Sequence, residues 1–184
     1  FIPGNINWAT GALTNMDLNE IQEIDAGFDF YAPQTMTMPD GRTVMVAWMA
    51  GWNRRPITSE FGFAGAMTFP REIELIDGHL YQWPVRELEN YRANEISLTF
   101  DNVSALTYES TLNGKVKDIQ LEFTPSEGKS GITLFDDQEG NRVEVYYQDG
   151  QLFLERFGIT DGYYTQDDKN NKTSTTLPLI DGKV

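Results

Sequence analysis

The chain has 184 residues, 40% hydrophobic and 12% aromatic, and carries a formal net charge of −14. That apolar content supports a packed core and excludes a disordered chain, while the acidic surplus would repel a polyphosphate backbone, so nucleic acid is not an expected partner. Cysteine is absent and His79 is the only histidine, which excludes disulfides, thiol nucleophiles, thiolate metal sites and metal centres needing several histidines.

Along the chain the periodicity is that of strands. Val44, Val46 and Trp48 alternate with Met45, Ala47 and Met49, so both faces are apolar and a strand buried on both sides is predicted. No apolar run nears the roughly 18 residues a membrane helix needs. Ile73 and Leu75 alternate with Glu72 and Glu74, the pattern of a half-exposed strand. Asp77-Gly78 separates that run from Leu80–Trp83, and an Asp-Gly at such a junction predicts a hairpin, since a type I′ turn needs positive φ at both central residues. Asp-Gly recurs at 40–41, 149–150, 161–162 and 181–182, consistent with many short antiparallel strands. After Pro84, the threefold spacing of Val85, Leu88 and Tyr91 predicts a short helix or pair of turns over 85–92, the best candidate for a domain boundary. Beyond it, Ile96/Leu98/Phe100, Ile119/Leu121/Phe123, Ile132/Leu134, Val143/Val145/Tyr147 and Leu152/Leu154 each share a face, predicting a β-sandwich from about Asn94. The polar stretch 160–176 is read as a long loop. The chain opens at Phe1 without an initiator methionine and stops where another strand is expected, so it reads as part of a longer protein. Its freedom from cysteine fits a cytoplasmic location.

Several motifs then occur in order. Asp25-Ala26-Gly27-Phe28-Asp29-Phe30-Tyr31-Ala32-Pro33-Gln34, the strand Val46-Ala47-Trp48-Met49-Ala50-Gly51-Trp52 after Gly41-Arg42, Gly65-Ala66-Met67-Thr68-Phe69-Pro70-Arg71-Glu72, and Pro84-Val85-Arg86-Glu87-Leu88 resemble the signatures of glycoside hydrolase family 32, strongly over about residues 23–92. The resemblance implies an all-β architecture: the last part of a five-bladed β-propeller (1–84), a short helical linker (85–93) and a C-terminal β-sandwich (94–184), incomplete at its end. It also implies retaining hydrolysis of terminal β-D-fructofuranosides, with two carboxylates roughly 5–5.5 Å apart serving as nucleophile and acid. The family's Asn-Asp-Pro, Arg-Asp-Pro and Glu-Cys motifs do not occur in this sequence. No catalytic residue is therefore expected in this chain, and the chain alone is expected to be inactive.

What the resemblance leaves here is substrate binding. Sucrose or its 6-phosphate is the expected substrate, with levan or inulin as alternatives. The missing N-terminal blades are the expected protein partner, and no metal or cofactor is expected. Trp52 matches a tryptophan that lines the fructose pocket, where an indole face packs on sugar CH groups. Asp29 offers a carboxylate acceptor for sugar hydroxyls, and Tyr31 shares its strand parity. Trp48 is read as core, Asp25 as a turn cap, and Arg71 and Glu72 as members of structural ion pairs. Arg54-Arg55 suit a phosphate but are read first as solvent-facing. Asp136–Asn141 reads as a charged hairpin turn, and Tyr146-Tyr147 and Tyr163-Tyr164 as carbohydrate platforms or ordinary strand aromatics. The competing reading is a non-catalytic carbohydrate-binding or structural β-sandwich module. The motifs over 25–88 weigh against it, because an open propeller edge is an aggregation hazard in a free-standing domain.

Overall fold

The computed structural model describes residues 1–51, 61–103, 114–158 and 171–184, and among them the chain is almost entirely β. β1 (Asn5–Asn7) and β2 (Ala12–Thr14) form a small hairpin whose turn is held by Asn7 Oδ1, which accepts from the N–H groups of Ala9 and Thr10 at 3.0 and 3.3 Å. Such three-residue strands are too short for alternation to mark them in a sequence.

The principal sheet comprises β3 (Tyr31–Thr37), β4 (Thr43–Met49), β5 (Ala66–Met67), β6 (Arg71–Ile76) and β7 (His79–Pro84). Its order is β3-β4-β6-β7, with β5 pairing the far end of β4, and all pairings are antiparallel. β4 lies inside the sheet, and its doubly apolar pattern is matched by burial on both faces: Val44 on one, and Met45 and Ala47, at 2% and 0% exposure, on the other. The half-exposed reading of β6 holds for its Glu74 but not for Leu75, which is 56% exposed because no described residue covers it.

The Asp-Gly signals resolve by chemistry. Asp77-Gly78 and Asp149-Gly150 carry positive φ at both residues, as a type I′ hairpin turn requires. Asp181-Gly182 has the same conformation inside the small Ile180–Lys183 bridge. Asp40-Gly41 differs. Pro39 fixes φ at the second turn position, Gly41 N–H closes the turn on the Met38 carbonyl at 2.9 Å, and of the pair only Gly41 has positive φ. Asp161-Gly162 lies outside the described residues.

A 3₁₀ helix, Arg86–Tyr91, follows β7, as the spacing after Pro84 predicts. Among the described residues beyond it, β8 (Ser130–Leu134), β9 (Arg142–Gln148), β10 (Gln151–Phe157) and β11 (Lys172–Thr176) form a four-stranded antiparallel sheet in the order β11-β10-β9-β8. Two expectations are corrected. The segments around 96–100 and 119–123 form no strand: Ile96, Leu98, Phe100, Ile119 and Leu121 are 41 to 52% exposed, so their alternating faces meet no opposing layer among the described residues. Conversely, Lys172–Thr176, read as loop, is a strand. Its β-branched threonines suit a pleated edge, and its polarity follows from exposure of most of its side chains.

No helix among the described residues is long and apolar enough to cross a membrane. The accessible surface is 14253 Å², against about 9,000 Å² for a compact chain of this size.

Candidate functional site

The expected substrate-binding residues follow a strap, residues 24–30, that crosses one face of the principal sheet. Asp25 Oδ1 accepts the Gly27 N–H at 2.7 Å, closing the turn expected there, while its Oδ2 takes Arg71 Nη1 at 2.7 Å. Arg71 also donates to Gln82 Oε1 at 3.0 Å and lies 4.9 Å from the centre of the Phe30 ring. Gln82 Nε2 donates to the Ile24 carbonyl at 2.6 Å. β6 and β7 thus hold the strap by two side-chain hydrogen bonds and one cation–π contact, with Arg71 and Gln82 bonded to each other. Arg71, read as structural, is used in this way.

The strap delivers half-buried Asp29 and then Tyr31, the first residue of β3. Tyr31 is 44% exposed and meets Trp48 edge-on, with ring centres 6.3 Å apart. The two are directly opposed across the β3–β4 ladder, which fixes them on one face. Just after Tyr31 the register slips before Gln34, and Ala32 sits at φ +50°. An irregularity of this kind ends the regular ladder and re-aims the neighbouring side chain. Trp48, read as core, is half-buried, and its indole N–H reaches the Ala64 carbonyl at 3.4 Å. Gly65, at φ +73°, is what lets the following loop pass so close: a Cβ there would stand 2.3 Å from Trp48 Nε1. The sequence marks Gly65 only as part of a motif; the reason for a glycine is steric. Asp29, Tyr31 and Trp48 are therefore brought to one end of the sheet. Trp52, Arg54 and Arg55 lie outside the described residues.

An ionic cluster centred on Glu72, read from the sequence as a member of a structural ion pair, pins the 3₁₀ helix to the sheet through partners that the sequence does not identify. Glu72 takes a two-pronged grip from Arg86, Nε to Oε1 at 2.9 Å and Nη2 to Oε2 at 2.6 Å, and also accepts from the Arg86 N–H at 3.0 Å and from Arg42 Nη1 at 2.7 Å. Arg42 additionally binds Glu87 and Asp40. The Arg86 hydrogen bonds, with help from Arg42, hold the Glu72 carboxyl far below the usual carboxylate range. Glu87 is lowered by its hydrogen bond from Arg42, and the Arg42 guanidinium is raised chiefly by Glu87, then by Asp40 and Glu72. These groups stay charged through neutral pH, the guanidiniums protonated and the carboxylates not, and exchange no proton there. Their chemistry is cross-bracing.

In the second sheet, Tyr146 and Tyr147 are 3% and 9% exposed and offer no flat platform to a sugar. Tyr146 stacks on Phe153 at 5.0 Å and donates to Glu155 Oε2 at 2.7 Å, beneath Lys129 and Lys172. Glu155 and Glu144 are pushed up by burial, but hydrogen bonds from Tyr146 and Lys129, and from Lys129 and Arg142, leave both below the ordinary range. In the Asp136–Asn141 turn the carboxylates accept backbone N–H groups: Asp136 from Gln138 at 2.8 Å, and Asp137 from Glu139 and Asn141 at 2.8 and 3.0 Å. Tyr163 and Tyr164 lie outside the described residues. A cleft of about 340 Å³ between Glu20–Gln22 and Asp77–His79 contains none of the expected site residues.

Against known proteins, the family model described as the glycosyl hydrolases family 32 N-terminal domain matches residues 1–84. The chain is 34% identical over 182 residues to the raffinose invertase of Escherichia coli, covering 94% of this chain and 34% of that protein. It is 32% identical over 140 residues to the sucrose-6-phosphate hydrolase of Zymomonas mobilis, covering 73% of this chain and 27% of that protein. Among solved structures, the sucrose-6-phosphate hydrolase from Lactobacillus gasseri superposes with a TM-score of 0.69 at 19% identity, over 96% of this chain and 36% of that one, a likeness of fold. The chain spans about a quarter to a third of the length of the curated relatives it matches.

Proposed function

Because the chain belongs to glycoside hydrolase family 32, we propose that it supplies one wall of the fructoside pocket in a retaining β-fructofuranosidase and performs no hydrolysis by itself. In this reading residues 1–84 close a five-bladed propeller, 85–93 link it onward, and 94–184 belong to a β-sandwich. The nucleophile and the acid stand on blades outside these 184 residues, roughly 5–5.5 Å apart as retention demands. Asp29 accepts hydrogen bonds from fructose hydroxyls, Tyr31 flanks it, and Trp52 packs its indole on the sugar ring.

The observation that carries the reading is the convergence of Asp29, Tyr31 and Trp48 at one end of the sheet, inside the segment that the family model matches. Sucrose or sucrose-6-phosphate is the proposed substrate, in keeping with the names of the relatives, with levan and inulin as the alternatives. A cytoplasmic location belongs to the same reading, since a chain without cysteine suits a reducing compartment. A free-standing carbohydrate-binding module is less well supported, because the buried Tyr146 and Tyr147 present no platform.

The test is fructose release from sucrose, sucrose-6-phosphate, inulin and levan by the complete polypeptide and by the 184-residue chain. Release by the complete enzyme alone is expected. Turnover by the isolated chain, or failure of the complete enzyme on every fructoside, overturns the proposal. Asp29→Asn and Trp52→Ala in the complete enzyme are expected to lower kcat/KM at least tenfold without unfolding it. If sucrose-6-phosphate is not preferred over sucrose, Arg54 and Arg55 have no phosphate role.

A further inference from the structure

The strap that carries Asp29 is held from two sides, and the second side belongs to the other sheet. The guanidinium of Arg156, on β10, lies 3.6 Å from the centre of the Phe28 ring. Thr173 Oγ1, on the neighbouring β11, donates to the Ala26 carbonyl at 2.6 Å, bridging residues 147 apart in sequence. These side chains sit side by side: Arg156 N–H bonds the Asn171 carbonyl at 2.7 Å, which ties the two strands beneath them. The four-stranded sheet therefore meets the strap at Ala26 and Phe28, and Phe28 is the residue immediately before Asp29. From the opposite side Arg71 and Gln82 grip Asp25 and Ile24.

The geometry points to Arg156 as a positioning residue for the substrate wall: by stacking on Phe28 it fixes the backbone from which Asp29 projects, so the second sheet sets the affinity of the site without touching the sugar. A planar guanidinium over an aromatic face is attractive and directional, and a 1 Å displacement at a neighbouring residue is enough to weaken a polar contact to a bound ligand. This inference rests on the role proposed for Asp29.

The experiment uses the complete enzyme with sucrose as substrate, comparing wild type, Arg156→Ala, Arg156→Lys, Asp29→Asn and the Arg156→Ala/Asp29→Asn double variant. Arg156→Ala is expected to raise KM about fivefold to tenfold with kcat within a factor of two. Arg156→Lys keeps a cation over the ring but not the planar fork that stacks on it, and should recover only part of that loss. In the double variant the Arg156 effect should vanish, because the carboxylate it positions has gone. Urea unfolding of each variant reports stability separately. If Asp29→Asn raises KM while Arg156→Ala leaves it unchanged, or if Arg156→Ala lowers stability alone, or if the two losses multiply, Arg156 is only a joint between sheets and the inference falls. If Asp29→Asn itself leaves kcat and KM at wild-type values, the proposed site falls, and the inference falls with it.

Discussion

Replacing Gly65 by alanine separates two physical effects that usually arrive together. Gly65 sits at φ +73°, and an ideal Cβ would stand 2.3 Å from Trp48 Nε1 and 3.1 Å from Ala50 Cβ. Gly41 supplies the control: it sits at φ +89° with nothing within 4 Å of its ideal Cβ. Both substitutions force an L-residue into the left-handed region, which costs about 1–2 kcal/mol. Only Gly65→Ala adds overpacking, worth about 1–3 kcal/mol, because Trp48 is not free to swing aside. Its ring abuts Tyr31, and Ala50 behind it is 2% exposed. Gly65→Ala should therefore destabilise by about 2–5 kcal/mol and Gly41→Ala by about 1–2 kcal/mol. Urea unfolding of the complete polypeptide, followed by tryptophan fluorescence, measures both. Gly65→Ala should also shift the native emission, since the indole must move, and Gly41→Ala should not. Equal losses with unchanged emission would refute the claim that Gly65 is there to admit the indole.

Thr68 makes a second test, because its buried Oγ1 accepts the Ala47 N–H at 3.1 Å. Thr68→Val keeps the shape but strands that donor, at about 1–3 kcal/mol, and should cost more than Thr68→Ser, which keeps the hydroxyl and gives up a methyl worth about 0.8 kcal/mol; the reverse order in urea midpoints would remove the hydrogen bond from the account. Glu72 gives a pH test. Its folded pKa lies below the unfolded value of about 4.3, so its contribution is complete above that value and is lost as pH falls toward the folded one. Glu72→Gln should therefore cost stability at pH 7 and flatten the decline below about pH 5, and parallel midpoint-versus-pH curves for variant and wild type would show that the carboxylate is not held as described. Glu87→Gln removes a more exposed partner of Arg42 and should change the midpoint much less, as exposed ion pairs generally do; a loss as large as that of Glu72→Gln would contradict this ranking.

How far the sequence speaks depends on the range of the interaction. The type I′ turns at Asp77-Gly78 and Asp149-Gly150 are legible because both φ angles are decided by the two residues themselves. The doubly buried β4 is legible because its neighbours pack on both faces and leave no polar position to mislead. Asp25 is legible as a turn cap because its partner is Gly27. Its second role, pairing with Arg71 across 46 residues, is not. The same holds for Arg42 with Glu72 and Glu87, and for Phe28 under Arg156, where nothing in the local pattern singles out one arginine among many. β11 was hidden for a different reason. An edge strand in which threonine and serine face outward carries no apolar period, and the polarity that suits an exposed edge is the polarity of a loop.

The failed strands at 96–100 and 119–123 lead to the remaining step. Apolar alternation reports that a face is meant to be covered; it does not say by what. Ile96, Leu98, Phe100, Ile119 and Leu121 keep the alternation while standing 41 to 52% exposed, and on the principal sheet Met36, Met67, Leu75, Tyr81 and Trp83 stand 45 to 60% exposed. The surface of 14253 Å² exceeds that of a compact chain of this size by about 5,000 Å². A standard protein–protein contact removes only about 800 Å² from each partner, so peripheral association would leave most of it wet. In the proposed function such cover comes from further layers packed on the two sheets. This is what the proposed function needs of the blades and sandwich strands beyond these residues, and it makes the order of assembly a consequence of the pocket: Asp29 and Tyr31 can line a cavity only after the sheet they edge has been closed over.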